Sequence, residues 1–318
     1  MTPKIKSIVT QIRNEIPSTI LLGYGGSYAY GTQIKGVSDI DVRGIYMNPL
    51  DEMIGCRSDS ETKEISGQDT VLYSIKKMFH LLSQCNPNTI EILGLDEYLY
   101  CDEVGQMIVD NKRLFVSKKA AFTFGQYAKA QLNRLVNKSG RAKNEIESNE
   151  ERSLQKAILS SGFKSEEFWV ENVPDKGLTV RASMTRPLSD FVKLYQTVDC
   201  VHTDYRSSTR NNKAIEHNKL SKHMMHLLRL YMMGIDILEK GEIITRRDNE
   251  HDLLMSIRNG DFSESDKKTP TKEFEEYLRM YQTLFDKAVE NSRLPEYPDM
   301  SKINKLMMDC VRTYYFIK

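Results

Sequence analysis

The stretch GYGGSYAYGTQIKGVSDIDVRGIY, residues 23–46, is the most informative in the chain. An apolar, β-favouring run, TILLGYG (19–25), ends in the turn Gly25-Gly26-Ser27. DIDVRGIY (39–46) then alternates Asp39, Asp41 and Arg43 against Ile40 and Val42, the pattern of a strand with one polar face. Residues i and i+2 of a strand share a face, so two carboxylates stand about 6–7 Å apart along the backbone. Such a pair is costly unless a cation sits with it.

Hard oxygen ligands of this kind suit Mg²⁺ or Mn²⁺, which bind through a few carboxylates together with waters and substrate phosphates. The glycines supply the complement. They let the backbone approach a ligand, and successive N–H groups at a turn into a helix favour a phosphate. An anion site facing a cation site is what holds a nucleoside triphosphate with its metal. A Gly-Ser pair alone is ordinarily a turn and an Asp-x-Asp alone ordinarily a solvated edge; the combination carries the inference.

Outward from this stretch, PKIKSIVTQIRNEI (3–16) spaces Ile5, Ile8, Ile12 and Ile16 as an amphipathic helix with Pro3 near its start. ETKEIS (61–66) and QDTVLYS (68–74) predict a hairpin turning at Gly67. Two helices follow, over 74–84 and 86–95, the second opened by Asn86 and Pro87. After about residue 118 strand signals nearly vanish, helical patterns recur at 118–138, 185–199, 213–240, 270–290 and 301–317, and the charged stretch 139–152 reads as a connection. The expected fold class is α+β: a small mixed sheet with helices over 1–115, then a mainly helical domain over 116–318.

The 318 residues carry a net charge of +1, so any polyanion site is local. No apolar run approaches the ~20 residues of a membrane helix, and MTPKIKSIVTQIRNEIP lacks the apolar core of a secretory signal. The expectations are a cytoplasmic location and no membrane partner. Cysteines 56, 85, 101, 200 and 310 show no CxxC pair, which argues against a disulfide framework and a Cys-based zinc site.

Gly26-Ser27, eleven intervening residues, then Asp39-Ile40-Asp41-Val42 resembles the signature of the polymerase-beta-like nucleotidyltransferase superfamily. Four blocks, GSYAYGT with SDIDVRGIY, QDTVLYSIKKMFHLLSQCNPNTIEILG, SKHMMHLLRLYMMG and LLMSIRNGDF, resemble those of its RNA-ligase-associated branch, RlaP. The resemblance implies that residues 1–115 are the catalytic domain and that Gly26 and Ser27 hold triphosphate. It also implies that Asp39 and Asp41 bind two divalent ions, Mg²⁺ or Mn²⁺, with a third carboxylate that serves as base. Asp69 is the choice for that third group and Glu64, in the preceding strand, its rival. The implied reaction is metal-dependent transfer of a nucleotide from an NTP, ATP or CTP, to an RNA 3′ end such as that of a tRNA. The alternatives are nucleotidylation of a protein or small molecule, and a nucleotide- or RNA-binding protein without turnover.

The helix near 213–240 places Leu220, Met224, Leu227, Leu228, Tyr231, Ile235 and Leu238 in one stripe, with Lys219, Lys222, His226 and Arg229 opposite. Six Lys/Arg outnumber two Asp/Glu over 202–230, so Lys222, His226 and Arg229 are candidates for nucleotide or RNA phosphates. His223 and His226 lack the acidic companions of a zinc motif. Arg43 either touches phosphate or neutralises the aspartates in a structural ion pair. Tyr28 and Tyr30 either stack on a base or pack within the turn.

Overall fold

The computed structural model describes residues 1–34, 36–54, 61–65, 68–138, 153–159, 162–164, 167–173, 177–183, 185–210, 219–264 and 269–316. The charged stretch 139–152, the turn residue Gly67, His217 and the 213–218 start of the basic helix lie outside the described residues. In chain order the elements are α1 Pro3–Glu15, β1 Thr19–Tyr24, α2 Gly26–Tyr30, β2 Val42–Tyr46, α3 Leu50–Ile54, β3 Thr62–Glu64, β4 Thr70–Ser74, α4 Ile75–Ser83, α5 Pro87–Ile90, β5 Tyr100–Cys101 and α6 Glu103–Asp110. There follow α7 Lys119–Lys138, α8 at 153–159, β6 Phe168–Val173, β7 Gly177–Ala182, α9 Leu188–Arg210, α10 Lys219–Lys240, α11 His251–Asn259, α12 Lys272–Asn291 and α13 Met300–Phe316.

The chain is α+β and divides into two compact units. One joins Met1–Gln131, Met225–Asp261 and Lys272–Lys318; the other joins Leu132–Met224 and Phe262–Thr271. The units are not contiguous in sequence, unlike a linear division at 115/116.

The first unit is built on a mixed five-stranded sheet of order β3-β4-β2-β1-β5. β2 runs antiparallel to β1 and parallel to β4, with Val42 opposite Thr70, and β3–β4 is the expected hairpin. One face is covered by α1, which the Thr2 side chain caps by accepting from the Ile5 N–H, with Pro3 opening the first turn. Its Ile5 and Ile12, with Ile16 just beyond, bury against Leu22, Val42, Tyr46 and Leu72. α4, capped by Ser74, packs on β2 and β4, and α13 packs on α4 and α6. Among the described residues no helix is long and apolar enough to cross a membrane.

The second unit corrects one expectation. Strand signals do not vanish after residue 118: FWVENV and GLTVRA form the antiparallel hairpin β6–β7. The sequence PDKG between them is turn chemistry outweighed in the sequence by the charged residues around it. Val170 of this hairpin buries with Leu154, Ile158, Phe163 and Leu194. Cys85, Cys101 and Cys310 are free thiols, and burial pushes Cys101 up to about 11 and Cys310 up to about 12.

Gly44 in β2 sits where a side chain has no room. A methyl there would lie 2.7 Å from the Leu21 carbonyl oxygen and 2.6 Å from Leu22 Cδ2. Main chain cannot rotate away, so Gly44→Ala is expected to cost about 1–3 kcal/mol. The melting temperature should fall by about 2–4 °C per kcal/mol, and an unchanged value would contradict this packing.

Candidate active site

The two backbone segments quoted first are stitched to a third by single main-chain hydrogen bonds. The Gly25 N–H donates to the Asp41 carbonyl at 2.9 Å, and the Val42 N–H donates to the Asp69 carbonyl at 2.9 Å. Asp41 therefore lies with the glycine turn on one flank and Asp69 on the other. Asp39 and Asp41 precede β2, which begins at Val42, and are not inside a strand as the alternation predicts. The reason is local: β1 ends at Tyr24 and the chain turns into α2, so beyond Gly25 there is no neighbour left for residues 39 and 40 to pair with. Asp39 is exposed.

Strand order separates the two candidates for a third carboxylate. The parallel register puts Asp69 beside Asp41, whereas Glu64 pairs with Val71 in β3, one strand farther out, and is exposed.

Arg43 bridges the two aspartates. Its Nη1 donates to Asp69 Oδ1 at 3.3 Å and to the Asp69 and Val42 carbonyls at 3.2 and 3.1 Å, while Nη2 lies 3.9 Å from Asp41 Oδ1. Of its two sequence roles, ion pairing is the one the side chain adopts. The glycines make room for this cluster. Gly26 has φ +54°, and a methyl on it would overlap Asp41 Oδ2; a methyl on Gly25 would lie 2.9 Å from Arg43 Cγ. Ser27, half-buried, follows as the second residue of α2.

Among the described residues no three His, Cys, Asp or Glu side chains converge as a preformed metal cage. The donors present are nonetheless the hard-oxygen set of Mg²⁺ sites, which use one or two carboxylates and complete their shell with water and phosphate. Asp41 and Asp69 supply two such groups on adjacent segments, and exposed Asp39 a third. The chemistry of the set fits a divalent ion.

α10 is not the half-exposed helix that its stripe suggests. Met225, Leu230, Met232 and Met233 are buried along with all of the predicted stripe except half-buried Ile235, so from Met225 onward apolar residues surround much of its axis. Arg229 is consequently buried, 3% exposed, and is not presented to solvent as a phosphate ligand. Its Nη1 lies 3.3 Å from Glu91 Oε2 and its guanidinium carbon 3.5 Å from the Tyr30 ring centroid. The Tyr30 hydroxyl donates to the same Glu91 oxygen at 2.8 Å, and half-buried His226 meets the Tyr30 ring edge-on at 5.7 Å. Burial raises the Tyr30 phenol, which keeps it a donor, and raises the Glu91 carboxyl against the pull of Arg229. Lys222 is exposed and belongs to the second unit.

Further residues of the first unit hold the loop between the glycine turn and the aspartates. His251 Nε2 lies 3.1 Å from the Gly31 carbonyl and Arg258 Nη2 donates to Ser38 Oγ at 3.0 Å. Beside the buried pair, Thr245 Oγ1 donates to the Glu91 carbonyl at 2.6 Å. Glu91 is the supporting residue that motif reading missed. Its signal was a lone acid inside the apolar run IEILGL.

Breaking a buried pair by removing one partner costs about 3–5 kcal/mol. Arg229→Met is expected to destabilise by that order in urea titrations, and adding Glu91→Gln should recover most of it. Glu91 has a folded pKa raised above its ordinary 4.5, so its ionisation opposes folding increasingly as pH rises through the folded value. The Arg229→Met defect should therefore be larger at pH 8 than at pH 5; equal defects would contradict a charged pair.

Neither a curated protein nor a solved structure matches the chain. A family model does, over residues 1–309, and that span takes in the glycine turn, Asp39, Asp41, Asp69, Glu91 and Arg229 alike. The chain belongs to the RlaP family, the RNA repair pathway DNA polymerase beta family.

Proposed function

We propose that the protein is a metal-dependent nucleotidyltransferase that moves a nucleotide from an NTP to an RNA 3′ hydroxyl in repair. The observation that carries this reading is the placement of Asp41 between the glycine turn and Asp69, in a chain of a polymerase-beta family. Asp39, Asp41 and Asp69 would hold Mg²⁺ or Mn²⁺, which when bound neutralises charge on the phosphates. Gly26 and Ser27 offer main-chain N–H groups, and Ser27 a hydroxyl, to the triphosphate. Asp69, the more open carboxylate with 56% of its side chain exposed, is the group to accept the proton of the attacking hydroxyl. Arg43, already beside both acids, is placed to follow negative charge from carboxylate to phosphate.

One observation favours a second reading, nucleotide or RNA binding without turnover: Arg43 provides the cation for Asp41 and Asp69 without any metal.

The test is transfer of α-labelled ATP, CTP, GTP and UTP to cellular RNA with Mg²⁺ or Mn²⁺. We expect label in a discrete RNA band, reduced at least ~10²-fold by Asp39→Ala, Asp41→Ala or Asp69→Ala and retained in Glu64→Ala. Label on protein or small metabolites instead would keep the transferase and discard the RNA acceptor. Full activity in Asp41→Ala under controlled metal would falsify the assignment of the site.

A further inference from the structure

Tyr24 and Tyr28 bracket the glycine turn and have no role in the site above. Their rings stack with centroids 5.5 Å apart and planes 22° from parallel. Both are half-buried, and together with Leu95, Asp96, Glu97 and Arg246 they line a cavity of about 480 Å³. That volume is in the range of small-molecule sites, which are largely apolar with a few placed polar groups.

The wall chemistry is selective. Asp96 and Glu97 are exposed acids that repel phosphate and accept hydrogen bonds from amines. Arg246 packs over Gly31, the residue after α2, and its Nε donates to Asp248 at 2.8 Å, which offsets part of its charge. The Tyr24 phenol is pushed up by burial, by Tyr28 and by Glu97, which puts that carboxylate within electrostatic reach of the ring pair. A flat, uncharged ring with an exocyclic amine satisfies this lining; a phosphate or a carboxylate does not.

We propose that this cavity is a nucleobase site, taking an amino-bearing base, adenine, cytosine or guanine, of the nucleotide whose phosphates the adjacent turn holds. The base stacks on the tyrosine pair and its amine donates to Asp96 or Glu97. Uracil carries no exocyclic amine, and is disfavoured. The proposal rests on the nucleotidyltransferase reading, because Tyr24–Tyr28 is one continuous segment that would meet base and phosphate of the same nucleotide.

The experiment is calorimetric titration of the full chain with adenosine and with uridine, without phosphate or metal. Adenosine should bind and uridine bind more weakly. Tyr28→Ala should weaken adenosine roughly 5- to 100-fold and Tyr28→Phe should not, since stacking survives in the latter. Asp96→Asn with Glu97→Gln should abolish the preference for adenosine over uridine. No saturable adenosine binding, or binding indifferent to Tyr28→Ala, overturns the proposal. Adenosine binding that behaves as stated in a protein without transfer activity sinks the catalytic reading alone; transfer without a Tyr28-dependent nucleoside site sinks the cavity alone.

Discussion

Two main-chain hydrogen bonds organise the candidate site: Gly25 to Asp41 and Val42 to Asp69. Each joins segments distant in sequence, and each is satisfied at only one register, since a slip by one residue would turn the acids to the opposite face. The parallel pairing of β2 with β4 brings Asp69 alongside; an antiparallel pairing of the same strands would place it at the other end of β2. The glycines are required by the same geometry, because the space a side chain would take at Gly26 is filled by the Asp41 carboxylate.

Under this arrangement lies a buried charge pair. Glu91 and Arg229 come from two segments of the unit, 138 residues apart in the chain, and meet around Tyr30, the last residue of α2. A buried ion pair is a poor source of stability, but it is demanding about geometry. Here the demand falls on the short helix that follows the glycine turn, with His251 and Arg258 fixing the loop that leads to Asp39. The first unit thus uses Met225–Asp261 as a brace for the turn.

Much of this was legible in the residues themselves. Glycine, serine and aspartate carry their chemistry in a fixed local spacing, and Asp69 sits one residue before a β-branched run that could only be a strand. Which strand lies beside β2 is not legible, because Asp69 precedes one strand, Glu64 ends the other, and pairing is a tertiary choice. Arg229 was misread for a related reason. A helix segment packed on several sides loses the distinction between stripe and face, and Met225, Met232 and Met233 mark the part of α10 that is buried beyond the stripe. Asp236 fits the same account, buried and held by Arg247 and Lys240. The β6–β7 hairpin is hidden by charge, which masks its short apolar strands.

The seat of α13 has a consequence for how the protein is made. Its Tyr315 hydroxyl donates to the Asn48 carbonyl across 267 residues, and its Ile303, Leu306 and Cys310 are buried. At about 5–20 residues per second, the roughly 190 residues between the end of α6 and the start of α13 leave about 10–40 s of synthesis during which α4 and α6 lack this cover. The apolar surface of α4 and α6 is open throughout that interval. The nascent chain is therefore a natural client for chaperones, and synonymous changes that slow elongation between the sheet and α13 lengthen its exposure without altering a single residue.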